Sequence, residues 1–110
     1  MNVKRTELAD RIRALLIGEN VVQKPMFGSL AFMVDDRLLV AAWGDGDLLV
    51  RVDPADSAEL LLQPGAHQAE MGAARRSMGP SWLTVDGEAL ADEERLLFWV
   101  DVAQEYHGRQ

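Results

Sequence analysis

The chain has 110 residues, of which 48% are hydrophobic and 26% are charged. This composition suits one folded domain over residues 1–110 and argues against a disordered chain. The formal net charge is −7, which disfavours a nucleic-acid or anionic-lipid partner because a negative surface repels phosphate. Since the sequence has no cysteine, it excludes disulfides, thiolate nucleophiles, zinc–cysteine sites and iron–sulfur clusters.

The N-terminal segment Met1–Leu16 has charges throughout and lacks the apolar centre of a signal peptide. Nowhere does an apolar run approach the roughly 20 residues that span a bilayer. We therefore expect a cytoplasmic protein with no membrane partner.

The first predicted element is a helix over Lys4–Ile17, ended by Gly18. Its apolar residues recur at i, i+4, i+7 and i+8, which is one face of an amphipathic helix. These residues are Leu8, Ile12, Leu15 and Leu16. The next segment, Val21–Phe27, is extended in character, and Pro25 argues against a helix there.

A period of two then predicts strands. The three strands are Leu30–Val34, Leu38–Trp43 and Leu48–Val52. Asp35-Asp36 and Gly44–Asp47 suit the short turns of an antiparallel meander.

The second half of the chain begins with a predicted short helix, Pro54–Gln63, capped by Asp53 and ended by Pro64-Gly65. The later elements are a weak strand, a loop, a stronger strand and a last helix: Ala66–Gly72, Ala73–Pro80, Ser81–Val85 and Asp92–Tyr106. The two strands suit a second hairpin. The order α-β-β-β-α-β-β-α predicts an α+β two-layer sandwich, an antiparallel sheet with helices on one face.

Apolar residues exceed what one side of such a sheet needs. Ala31, Met33, Leu39 and Ala41 add a second apolar face to the middle strands, and the last helix is apolar around most of its circumference. Two alternatives stay open: these surfaces are covered within the monomer, or they meet a partner, either a second copy in a homodimer or an unknown protein.

The sequence offers no catalytic, cofactor-binding or metal-binding motif, so we expect a protein that is not an enzyme and has no cofactor. His67 and His107 lack the spacing of metal ligands. Gly28-Ser29-Leu30 lacks the second glycine of a nucleophile elbow, and no phosphate-binding loop occurs. Convergent carboxylates cannot be recognised from one sequence, so an unrecognised enzyme remains a second alternative function.

Three arginines remain as candidates for binding. Arg51 lies in an otherwise apolar strand, where it either forms a structural salt bridge or anchors an acidic group. Arg75 and Arg76 lie in a loop, where a pair of arginines is either solvated or holds a phosphate or carboxylate. They support a first alternative function, a small-molecule or nucleic-acid-binding regulatory domain.

Several segments together resemble one known family. Lys24–Val34 resembles the Met-Phe-Gly-Gly opening strand of the N-terminal domain of TfoX/Sxy proteins, and Leu48–Asp53 is similar to the Leu-x-x-Arg-Val-Asp strand and cap of that family. The later matching positions are Pro64-Gly65-Ala66, Ser77-Met78, Trp82 and the helix segment Leu90–Val100. The resemblance covers roughly Leu8–Ala103.

The resemblance implies a regulatory or protein-interaction module, because the namesakes regulate natural competence in bacteria. It implies a fold similar to that of type III secretion chaperones, a protein-binding and often dimeric class. The namesakes carry a second, helical C-terminal domain, which we expect this chain to lack. The candidate interaction or family-motif positions are Met26, Phe27, Gly28, Arg51, Arg75, Arg76, Trp82 and Trp99.

Overall fold

The computed structural model describes residues 3–16, 20–26 and 28–109. These residues form three α-helices, which are α1 (Val3–Leu15), α2 (Ser57–Leu60) and α3 (Glu93–Gly108). They also form eight strands, which are β1 (Val21–Met26), β2 (Ser29–Val34), β3 (Arg37–Trp43), β4 (Asp47–Arg51), β5 (Ala66–Gln68), β6 (Glu70–Met71), β7 (Arg76–Ser77) and β8 (Trp82–Val85). Short 3₁₀ turns, Pro54–Asp56 and Gly87–Leu90, precede α2 and α3.

Six of the strands form one antiparallel sheet in the order β1-β2-β3-β4-β8-β5. The helices α1 and α3 pack against it, so the predicted α+β class is confirmed. The sheet has one strand more than the sequence predicted, because the extended segment β1 pairs with β2 along its whole length. Pro25 is tolerated there since β1 is an edge strand.

The second hairpin is confirmed, since β5 pairs with β8. Its connection differs from the predicted strand and loop. Ala69 divides the predicted strand into β5 and β6. The strand β7 lies inside the predicted loop Ala73–Pro80 and pairs with β6. We call this two-stranded extension, residues 70–77, the arm; its residues are all exposed.

Several helix starts and hairpin turns lie where the sequence predicted them. Asp35 and Asp36 have φ angles of 53° and 64°, the left-handed pair that a tight hairpin turn requires. The carboxylate of Asp53 accepts a hydrogen bond from the Ala55 N–H at 2.9 Å, and Asp92 caps α3 in the same way. The predicted stop at Gly18 lies outside the described residues.

The larger core lies between the sheet and the two long helices. Ile12 of α1 and Leu96, Trp99 and Val100 of α3 are fully buried in it. The last helix is therefore mostly covered within the monomer, although Leu97 is 42% exposed. In the part of the chain that is described, no helix is long and apolar enough to cross a membrane.

A β-bulge changes one strand assignment. The pairing of β2 with β3 shifts between Phe32 and Met33, so Met33 faces Leu38 and Phe32 faces Val40. Leu39 is the extra residue and packs in the helix-side core. Its predicted place on the second face is wrong, and Leu38 lies there instead.

Candidate interaction face

The side of the sheet opposite α1 and α3 carries a second apolar cluster, which we call the outer face. Its buried members are Ala31, Ala41, Leu49 and Ala69, and its half-buried members are Met26, Met33, Leu38, Trp43, Met78 and Trp82. The predicted second apolar face of the middle strands therefore exists. None of the residues in this cluster comes from α1 or α3.

Strand register arranges the outer face in rows that run across the strands. The middle row contains Lys24, Ala31, Ala41, Leu49 and Thr84, which are successive partners from β1 to β8. Directly paired residues point to the same side of a sheet. The centre of the outer face is thus made of small and medium apolar side chains, while larger ones stand towards the strand ends.

One end of the outer face adjoins a groove that two arginines line, and we call it the Arg end. Arg37, Leu38, Arg51, Ser81 and Trp82 line an open groove of about 710 Å³ there. Arg51 is paired with Trp82 across β4 and β8, and both residues line the groove.

The position of Arg51 is further fixed by an aromatic ring. Its guanidinium carbon lies 5.1 Å from the ring centroid of Tyr106, near the end of α3. This is the distance of a cation–π contact. The contact holds the long side chain at the edge of the groove.

The opposite end of the outer face is acidic, and we call it the Asp end. Trp43 is paired with Asp47, and Asp45 lies in the turn between them. An Asp47 carboxylate oxygen accepts a hydrogen bond from the Gly87 N–H at 2.9 Å. Asp86 adjoins this end and contacts His67 at 3.0 Å.

A cavity of about 500 Å³ lies beside the Asp end and reaches α1. Its charged lining residues are Lys4, Glu7, Arg11, Asp45, Asp47, Asp86 and Glu88. Among the described residues, no group of three or more histidine, aspartate or glutamate side chains is placed to hold a metal ion. The excess of carboxylates makes this cavity unsuited to an anionic ligand.

The structure brings together three of the candidate positions and places Arg75, Arg76 and Trp99 elsewhere. Met26 and Trp82 belong to the outer face, and Arg51 lies at its Arg end. Arg75 and Arg76 lie on the exposed arm, and Trp99 is fully buried in the helix-side core.

Gly28 belongs to the turn between β1 and β2. Gly28 has a φ of 79° there. The hydroxyl of Ser29 donates to the Met26 carbonyl oxygen at 2.6 Å and closes this turn. Phe27 lies outside the described residues.

Sequence reasoning missed Trp43 and Leu38 as members of the outer face. Trp43 follows Ala41 by two positions, so the strand period could have revealed it. Leu38 could not be found in this way, because the bulge at Leu39 interrupts the period.

Each of the two histidines contacts an aspartate side chain. His67 contacts Asp86, and His107 contacts Asp35 at 2.9 Å. These contacts tie β5 to the segment after β8, and the end of α3 to the first hairpin turn. Such contacts suit structural histidines.

An antiparallel sheet with a helix-covered core on one side and a second, half-buried apolar cluster on the other defines an α+β domain. The family model of the TfoX N-terminal domain matches residues 14–106. The chain therefore belongs to the TfoX N-terminal domain family. No curated protein and no solved structure gives a significant match to the chain.

Proposed function

We propose that this chain is a regulatory protein-interaction module that acts by binding protein through its outer face. The observation that carries the proposal is the half-buried apolar cluster on the side of the sheet opposite α1 and α3. Its large members include two tryptophans and three methionines. Aromatic and methionine side chains are enriched at protein interfaces, where methionine adapts its shape to different partners.

Membership of the TfoX N-terminal domain family supports a regulatory role, because the family is associated with competence regulators. We propose no catalytic activity for the chain. We further propose that it acts in the cytoplasm, which suits a cysteine-free sequence.

A matched pair of variants tests the role of the outer face. Leu38→Ser makes the outer face polar, whereas Leu62→Ser makes the same change at a side chain that is 83% exposed outside this cluster. Both variants and the original chain would be purified by affinity from the native host. We expect proteins that co-purify with the original chain to be retained by Leu62→Ser and lost by Leu38→Ser. Equal recovery by the two variants would contradict the proposal.

A second candidate function is the binding of an anionic small molecule at the Arg end. The observation that favours it is the groove that Arg37 and Arg51 line together with Ser81 and Trp82. Inorganic phosphate and citrate would serve as probes in a thermal-shift titration. Stabilisation that Arg37→Gln abolishes would support this function, and an unchanged melting temperature would count against it.

A further inference from the structure

The two ends of the outer face carry similar apolar groups but opposite charges. Trp43 lies at the Asp end, and Leu38 and Trp82 lie at the Arg end. By the alternation of the strand, Asp47 and Arg51 leave the backbone on the same side of the sheet as Leu49, and their other contacts are with Gly87 and Tyr106 at the two strand ends. Asp47 and Arg51 lie on the same strand, β4. Four residue steps along the strand separate them, which is about 13 Å at roughly 3.3 Å per residue.

A surface that pairs with itself must match its own image under a two-fold rotation. When two sheets pack face to face, the rotation axis lies between them, parallel to both. An axis that runs along the strands places each end over the same end of the other copy, so that like charges meet. An axis that runs across the strands, along the middle row, exchanges the ends and places opposite charges together. Electrostatic complementarity therefore selects the second axis.

We propose that the outer face binds a second copy of this chain, with the two-fold axis along the middle row of Ala31, Ala41 and Leu49. In this arrangement Asp47 faces the partner subunit's Arg51. Trp43 faces the partner subunit's Leu38. This inference rests on the proposed function and names the partner of the same face.

The middle row suits contact with its own image. Ala31 and Ala41 project only a methyl group, so they let two sheets approach to the spacing of about 10 Å that stacked sheets adopt. At the β1 end of the row Lys24 would meet its own image, where two like charges repel. The contact is therefore centred on β2, β3 and β4, away from Lys24.

Pairing through the sheet edge is less favourable than pairing through the outer face. The edge strand β1 carries Lys24 and Pro25, and these residue types block the addition of further strands. The other edge strand, β5, has three residues, which is too short for a stable strand-to-strand contact.

Sedimentation equilibrium of the full chain over a wide concentration range tests the inference. We expect the mass to rise from the 12.2 kDa of one chain towards twice that value, and we expect Leu38→Ser to prevent the rise. Arg51→Glu alone and Asp47→Lys alone should each lower the association constant by roughly tenfold to a hundredfold, because every charge contact occurs twice in the dimer. The double variant should restore most of the association.

The control for restoration is Arg51→Glu combined with Asp101→Lys. Asp101 is exposed on α3, outside the outer-face cluster, and the combination has the same net charge as the double variant. This control should remain as weak as Arg51→Glu alone. Circular dichroism reports whether each variant is folded. If Asp47→Lys disturbs the Gly87 contact, Asp47→Asn keeps the oxygen acceptor and should weaken association by a smaller factor.

Three results would overturn the inference. They are a mass of one chain at every concentration, a dimer that Leu38→Ser leaves intact, and single charge reversals that the double variant does not repair. A monomer that still loses its co-purifying proteins through Leu38→Ser would refute the two-fold contact and leave the proposed function standing. A monomer that captures nothing through the outer face would refute both.

Discussion

Two tryptophans among the candidate positions should respond very differently to truncation. Trp99 is fully buried between α3 and the sheet, in contact with Phe98 at a centroid distance of 5.2 Å. Trp82 is half-buried at the Arg end of the outer face. We predict that Trp99→Ala impairs folding, whereas Trp82→Ala impairs binding.

The size of the effect follows from burial. Replacing a fully buried tryptophan with alanine costs about 3–5 kcal/mol, because the transfer energy is lost and a cavity remains. A domain of this size is stable by only about 5–15 kcal/mol. Trp82 keeps part of its surface in water when folded, so we expect its truncation to cost about 1–2 kcal/mol.

At Trp99, one effect of the truncation is stabilising and partly offsets this loss. The indole Nε1 is buried and has no hydrogen-bond partner among the described residues. Leaving a polar group unpaired in the core costs about 1–3 kcal/mol, and truncation removes this cost. We therefore place Trp99→Ala at the lower end of its range, near 3 kcal/mol.

Urea denaturation followed by far-ultraviolet circular dichroism measures both variants without relying on tryptophan fluorescence. The midpoint should shift strongly for Trp99→Ala and weakly for Trp82→Ala, with similar slopes. Comparable losses of stability in the two variants would refute the division into a structural tryptophan and a binding tryptophan.

Three local changes test other parts of the fold by the same assay. Gly65→Ala should destabilise the protein by about 2–4 kcal/mol, because the added Cβ would lie 2.5 Å from the Ala89 Cβ at a positive φ. Gly72→Ala has nearly the same φ but open space around the added Cβ, so it should cost only about 1 kcal/mol. Equal costs for the two variants would contradict the steric explanation. Asp36→Gly should stabilise by about 0.5 kcal/mol, since the turn requires a positive φ there; a loss of stability would contradict this reading of the turn. Asp92→Ala should cost about 1 kcal/mol through the lost cap of α3, and no change would show that the cap is unimportant.

The sequence predicted the parts of this fold that depend on neighbouring residues. The turn at Asp35-Asp36, the cap at Asp53 and the amphipathic first helix all reflect interactions within a few positions along the chain. For the same reason, the alternation in the middle strands was enough to predict a second apolar face.

Long-range contacts decided the rest. The segment Val21–Met26 carries a proline and little alternation, and it becomes a strand only because β2 offers it a partner. The bulge that turns Leu39 towards the helices arises from the pairing of two strands, which no local pattern reports.

The candidate site shows the same division. The sequence by itself determined the family, the α+β class and the presence of surplus apolar residues. Only the tertiary structure decided that Trp99 is enclosed by the core while Trp82 stands beside Arg51 on the outer face. Burial depends on which elements pack together, so residues of the same type acquire different roles once the sheet and helices are assembled.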